Sequence, residues 1–337
     1  MFKPRIAGTG EYLPGLPVTN MELEQCWGLP AEWTEHFVGT KTRHFCMDIS
    51  TGKVIEDILS ISIEAANSAL VNAQMEPYEI EAIVLSTATP KYLMPTVATE
   101  LADALGIVGI PILQVQSGCA GSIQALQIAS DMLLAKRASS VLVVGADVCT
   151  KHYIHNRDFS SVSQSELVNY VLFGDGAGAL VLTDDDAPGC RIPLLSHRFV
   201  GLGRPPGQLI DWFGLGDRLE DRVALKEDYK AIEKNVPILA KEALLYGLDC
   251  LSWDSQEISH IFPPQLSGLM TQRILTSFEL GAAIDVSCVA DTGNCGNALP
   301  FLQVHRALES MTDGSRGIGV AIESSKWIQA VFALEVD

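Results

Sequence analysis

One order of elements occurs twice in this chain of 337 residues, and it restricts the fold more than any other feature. In the first pass an apolar strand-like run at 82–86 is followed by a second at 112–116. Then come the tight turn Gly118-Cys119-Ala120-Gly121, a helical pattern and the run 140–145. In the second pass runs at 258–262 and 285–289 lead to Gly293-Asn294-Cys295-Gly296, a helical pattern and the run 317–322. A repeat of this size implies duplicated halves packed about a pseudo-twofold axis. The turn-rich acidic run Asp184-Asp185-Asp186-Ala187-Pro188-Gly189 separates them, so halves are expected at 1–185 and 186–337. A further strand is expected at 177–182, and helical periodicity marks 55–73, 98–105, 121–136, 226–245 and 300–311. The alternation predicts an α/β protein with mostly parallel sheets.

Composition removes several function classes. Hydrophobic residues make up 47%, enough for a sizeable core. No apolar run reaches the roughly 18 residues that span a bilayer. The start of the chain enters an apparent strand and lacks the apolar core of a signal peptide, so a cytoplasmic protein is expected. The eight cysteines are scattered without framework spacing, which fits free thiols in a reducing compartment. The net charge of −18 argues against nucleic acid, whose phosphates need clustered Lys and Arg. An acidic carrier protein would be repelled at long range and would need a local basic patch.

The two turns carry the candidate chemistry. A thiol on the first turn of a helix feels the positive end of the helix dipole and free backbone N–H groups, which favour thiolate. Gly118, Ala120 and Gly121 leave room for an electrophile beside Cys119. A buried structural cysteine is the alternative. Asn294, at the equivalent helix start, reads either as a helix cap or as part of a site formed by two helix N-termini. Cys295 reads as a small residue in the helix start. Cys149, His152, His155 and Asp158 fall three apart; strict zinc spacing is absent and no metal is expected, although either histidine is a candidate base for Cys119. The stretch 201–207 lacks phosphate-loop spacing and reads as a loop.

With these residues in place the chain resembles the thiolase-fold condensing enzymes, specifically the beta-ketoacyl-acyl-carrier-protein synthase III branch and its acyltransferase relatives. The resemblance runs from about residue 5 to 334. It rests on 6–14, Glu32-Trp33, Gly39-Thr40-Lys41-Thr42-Arg43, Cys119-Ala120-Gly121, Phe173-Gly174-Asp175-Gly176-Ala177-Gly178-Ala179 and Gly293-Asn294. It implies a five-layered αβαβα thiolase fold, a dimer, and acyl transfer onto the active-site cysteine followed by attack of a second substrate. In that family a Cys–His–Asn triad does this work, and Cys119 and Asn294 match two of its members.

Two departures stand out. The family has Pro-His-Gln-Ala-Asn where this chain has Pro263-Pro264-Gln265-Leu266-Ser267, so Pro264 stands in the histidine position. Proline has neither an ionisable group nor an N–H. His260 lies about 13 Å away along an extended strand, beyond reach. The Gly-rich loop that supplies an oxyanion donor in the family is replaced by Glu323-Ser324-Ser325-Lys326-Trp327, which leaves the N–H of Ser325 or Lys326 as a donor and Trp327 as a residue that fills the mouth or stacks on substrate. The resemblance further assigns Trp33 to stacking on the adenine of CoA, with Phe37 replacing its arginine partner. It assigns Met94 to the residue that reaches into the partner's acyl pocket. Leu269 replaces a basic carrier-docking residue, with Arg273 one turn later.

The expected function is acyl transfer through a thioester on Cys119, from acyl-CoA or an acyl carrier protein to a second substrate, in secondary metabolism. No cofactor beyond that thioester is implied. Carbon–carbon condensation without the histidine is one alternative. A non-catalytic subunit of a paralogous synthase is the other. The dimer is homomeric, or heteromeric with a paralogue.

Overall fold

The computed structural model describes residues 4–155, 157–159, 162–211 and 225–337. The strands of the first half are β1 (Arg5–Tyr12), β2 (Val18–Thr19), β3 (Thr42–Arg43), β4 (Ala82–Ser86), β5 (Ile112–Val115), β6 (Ser140–Val148) and β7 (Asp175–Thr183). Those of the second are β8 (Cys190–Phe199), β9 (Gln208–Ile210), β10 (Leu225–Glu227), β11 (His260–Phe262), β12 (Ile284–Asp285), β13 (Arg316–Glu323) and β14 (Ile328–Val336). The helices are α1 (Asn20–Trp27), α2 (Ala31–Phe37), α3 (Ile58–Ala73), α4 (Val97–Ala104), α5 (Gly121–Leu134), α6 (Gln164–Leu172), α7 (Tyr229–Leu251), α8 (Gly268–Phe278), α9 (Val289–Thr292) and α10 (Leu299–Leu308).

Ten strands join in one sheet, ordered β12-β11-β13-β14-β8-β1-β7-β6-β4-β5. Outward from β1 the order is β7, β6, β4, β5; outward from β8 it is β14, β13, β11, β12. Each half thus contributes five strands in the same relative order, and the repeat seen in the sequence is a repeat of topology. The two sets meet where β1 pairs with β8 through only Arg5 with Arg191 and Ile6 with Cys190.

The layers follow from which apolar faces find each other. Ile61 and Ala65 of α3 and Leu101 of α4 cover Ile83, Leu85 and Val144 on one outer face. Val236, Leu239 and Ile274 of α7 and α8 cover Ile318, Val320 and Val331 on the other. Between the two sets of strands lie α5 and α10. Ile123, Leu126, Phe301 and Val304 pack there against Val84, Val143 and Leu180 on one side and Phe262, Phe332 and Leu334 on the other. The result is the expected αβαβα layering. The first ten residues of α5 carry no charge, as a helix covered on two faces requires. The helices that follow Cys119 and Asn294 are therefore the two central ones. Among the described residues no helix is long and apolar enough to cross a membrane.

The pairing is mixed rather than mostly parallel. β4 pairs in parallel with β5 and β6, and β11 with β12 and β13. β1, β7, β8 and β14 pair antiparallel. The four residues between β13 and β14 are too few for a parallel crossover. The strand expected at 285–289 stops at Asp285. Gln265 Oε1 accepts from the N–H groups of Cys288 and Val289 at 2.7 and 2.8 Å, which turns that backbone out of the ladder and into α9. The helix expected from 226 starts at Tyr229, capped by Asp228 accepting from Ala231 N at 3.0 Å. β8 and β14 were not expected: Pro193 and Arg198 in one, and Gln329 and Glu335 in the other, break their apolar runs.

Candidate active site

Gly118, with φ +49°, turns the chain out of β5 into a single 3-10 turn, Gly118–Ala120, that leads into α5 and carries Cys119. In the other half Gly293 and Gly296, at φ +70° and +52°, do the same before α10. Asn294 is fixed there by hydrogen bonds of its backbone and side chain. Its N–H donates to Leu172 O at 2.8 Å, its Nδ2 donates to Leu266 O at 3.2 Å, and its Oδ1 accepts from Gly296 N at 3.1 Å.

Cavities converge on the thiol. One, of about 40 Å³, is lined by Cys119, Pro264, Asn294 and Gln303. A cleft of about 460 Å³ is lined by Cys119, Asn294, Glu227, Tyr229, Phe37 and Leu269. A third, of about 60 Å³, is lined by Cys119, Asp147, Cys149, His152 and Glu323. Cys119, Asn294 and Pro264 therefore share one space, with the proline ring where the resemblance places an imidazole. His260 is engaged elsewhere, with Ser259 Oγ and Ser310 Oγ at 2.9 and 3.1 Å. His155 packs over Gly52. His152 does line the cavity of about 60 Å³, with a buried Nε2 that has no hydrogen-bond partner among the described residues.

Glu323, at the end of β13, is the residue that sequence reasoning passed over. It is buried, and its Oε2 accepts from Cys119 N at 2.5 Å while its Oε1 accepts from Ser325 N at 2.6 Å. Cys119 and this carboxylate also line the same cavity of about 60 Å³. The expected oxyanion donor at Ser325 is thus occupied by a side chain. The only signal in the sequence was a carboxylate in place of a small residue after a core strand.

This carboxylate also corrects the expected thiolate. Burial pushes the Cys119 thiol well above its ordinary range, and Glu323, Asp147 and Glu227 add repulsion in the same direction. The helix start does not offset that. Burial likewise raises Glu323, partly offset by the N–H groups it accepts from. Asp147, raised by burial, is a structural anchor. Its Oδ1 accepts from Thr87 Oγ1, Ala88 N, Thr89 N and Thr89 Oγ1 at 2.7–3.1 Å. Its Oδ2 accepts from Asn297 N and Nδ2, both at 2.8 Å.

Glu227 faces the cleft. Gln208 Nε2 donates to it at 3.1 Å, and the Tyr229 hydroxyl donates to its other oxygen. Burial, with Glu323 nearby, pushes Glu227 up to about 7. Its folded value lies above its unfolded one. The stability it contributes is therefore complete below the ordinary Glu range and is lost as pH rises through about 7. Glu227→Gln is expected to remove that loss, worth about 3 kcal/mol between pH 5 and 8. Thermal midpoints of both proteins across that range check it; parallel curves would count against it.

The remaining expected positions divide. Phe37 stands at the mouth of the cleft, 64% exposed, and Trp33 lies behind it with ring centroids 6.1 Å apart. Leu269 and Arg273 line the cleft, and Arg273 is paired with Glu233 at 2.7 Å. Met94 is exposed in the loop before α4, outside the cavities around Cys119. Trp327 is neither at the mouth nor against a substrate space: it is 2% exposed, packs in the core under α7, and its Nε1 donates to Pro205 O at 2.7 Å. The short β13–β14 turn folds it inward. Cys295 is fully buried against Ala298, Leu299 and Leu302. Among the described residues no group of three or more His, Cys, Asp or Glu is placed to hold a metal.

Comparison with known proteins gives one answer. The family model described as 3-oxoacyl-[acyl-carrier-protein (ACP)] synthase III matches residues 113–196, which include Cys119. The chain is 30% identical over 302 residues to the beta-ketoacyl-[acyl-carrier-protein] synthase III of Neisseria gonorrhoeae, covering 87% of each. The solved structure of AbyA1, a tetronic acid condensing enzyme, superposes with a TM-score of 0.95 at 43% identity, covering 98% of this chain and 99% of that one. The synthase III of Pseudomonas aeruginosa PAO1 shares the fold, with a TM-score of 0.85 at 22% identity over 99% of each chain. The topology, the cysteine at the head of one central helix, the asparagine at the head of the other, and these likenesses together place the chain in the beta-ketoacyl-acyl-carrier-protein synthase III family.

Proposed function

We propose that this protein takes an acyl group from an acyl-CoA or acyl-carrier thioester onto Cys119 and joins it to a second, already activated substrate, in the class of reaction that yields a tetronic acid. The observation that carries this is the shared cavity of Cys119, Asn294 and Pro264. Nucleophile and amide are together, and the imidazole position is filled by a group that cannot donate a proton.

The chemistry tolerates that loss for one kind of acceptor. Decarboxylation of a malonyl thioester leaves an enolate that needs protein donors, and loss of one such donor costs roughly 100- to 1000-fold. A 3-oxoacyl thioester is different: the carbanion at its C2 is spread over its own two carbonyl groups. A tetronic acid ring divides at one C–C and one C–O bond into a 2-hydroxyacyl unit and a 3-oxoacyl unit. Joining them releases the two carrier thiols. The likeness to AbyA1 supports this acceptor class.

Incubation with acetyl-, hexanoyl- and lactoyl-CoA, read by intact mass, tests the first half. A single acyl adduct is expected on the wild type and none on Cys119→Ala. An adduct that persists in Cys119→Ala, or no adduct from any CoA or carrier thioester, would overturn the reading. Release of CO₂ from malonyl-CoA would move the second half to decarboxylative condensation, with Asn294 alone assisting.

A further inference from the structure

Glu323 holds the backbone N–H groups of both Cys119 and Ser325, and that arrangement has a chemical cost and a use. A tetrahedral intermediate at Cys119 needs those N–H groups for its own oxygen. With a carboxylate on them, no acyl carbonyl can be bound there. Taking the reading of Cys119 as acyl acceptor as given, we propose that Glu323 is the proton acceptor for the Cys119 thiol, and that receiving this proton is what frees the N–H groups of Cys119 and Ser325 for the acyl oxygen.

Geometry supplies the argument. The carboxylate is buried and its two oxygens are aligned on Cys119 N and Ser325 N at 2.5 and 2.6 Å, and Cys119 and Glu323 line one cavity of about 60 Å³. Gly118 leaves the space it occupies: a Cβ there would lie 1.8 Å from Oε2. Other charges facing the pair are Glu227 from β10 and Asp147 from β6, with His152 across the small cavity. All the acids push in one direction, against a second negative charge. With Pro264 in the imidazole position no Cys–His ion pair forms there, and a proton passing from thiol to carboxylate keeps the net charge of the pocket constant.

The step balances. The thiol proton moves to Glu323 as Sγ bonds to the thioester carbonyl carbon. Hydrogen bonds to the neutral acid are roughly half as strong as those to the carboxylate, so the acid yields the N–H groups to the new oxyanion. When the intermediate collapses, the C–S bond to the carrier breaks and Glu323 returns its proton to the departing thiolate. Acyl-Cys119, a free carrier thiol and ionised Glu323 result.

The test compares wild type, Glu323→Gln and Glu323→Asp in two reactions at Cys119, each followed by intact mass from pH 5.5 to 9. These are acylation by hexanoyl-CoA and alkylation by iodoacetamide, which has no carbonyl oxygen to bind. Glu323→Gln should slow acylation by about 100-fold or more and leave it rising with pH only through the lowered thiol midpoint. It should also shift the alkylation midpoint to lower pH, because an anion beside the thiol is gone. Glu323→Asp should recover part of the acylation rate. Acylation in Glu323→Gln at or above the wild-type rate overturns the proposal, as does a fall in both reactions together. A pH limb that survives Glu323→Gln but vanishes in His152→Gln places the base on His152 and also overturns it. If no thioester acylates the wild type, the function proposed above fails; an alkylation midpoint unmoved by Glu323→Gln then overturns the coupling, and a lowered one sustains it.

Discussion

Replacing Asp147 by alanine is expected to lower the thermal midpoint by roughly 5 °C, the largest stability effect of any single side chain around the site. Six buried donors converge on this one carboxylate. Four lie in the segment after β4 and two belong to Asn297, beside the turn of Asn294. Removing the acceptor leaves them in a water-excluded pocket, and breaking such a buried charged network costs about 3–5 kcal/mol. In a chain of 337 residues each kcal/mol moves the midpoint by about 1.5 °C. Acyl loading should fall as well, since Asn297 fixes the turn on which Asn294 sits. Unfolding followed by circular dichroism decides the matter. A shift below about 2 °C would show that water or a relaxed backbone replaces the anchor.

Gly118→Ala is expected to reduce acylation of Cys119 by about 100-fold with the fold retained. A non-glycine residue at φ +49° carries strain of about 1–2 kcal/mol. The larger effect is local. The added methyl would meet Glu323 Oε2 at 1.8 Å and Cδ at 2.3 Å, so the carboxylate must leave the two N–H groups. A displaced Glu323 no longer reaches the thiol. Intact-mass kinetics with hexanoyl-CoA, beside a melting curve, separate the two effects. Near-normal acylation would mean that Glu323 can stand elsewhere without consequence.

Much of this site was legible in the chain itself, for a physical reason. A cysteine or asparagine must sit on a tight turn at a helix start to face a common centre, and such turns require small residues at fixed places. Gly118, Gly121, Gly293 and Gly296 therefore announce both turns. Pro264 was legible because a proline is conspicuous where an imidazole is expected. Trp327 was misplaced because a short hairpin turn directs a side chain inward or outward by backbone angles that composition does not reveal; its φ of +64° points it into the core. Glu323 was missed for the opposite reason. It is an ordinary residue at a strand end, and its meaning arises only when β13 of one half meets the Cys119 turn of the other. The environment of the thiol was misjudged likewise: a helix start is local and readable, whereas Glu227, Asp147 and Glu323 approach from three distant segments.

The seam between β1 and β8, two residue pairs wide, has a mechanical consequence. Cys119 belongs to one set of strands, whereas Glu323, Pro264 and Asn294 belong to the other. Any shift of one set against the other alters the gap between sulfur and carboxylate, and α5 and α10, packed against both sets, resist it. The alignment of the reacting groups is thus shared between this joint and the central helices, and substitutions at Arg5, Ile6, Cys190 or Arg191 would act on the chemistry from a distance, as shims under a hinge do.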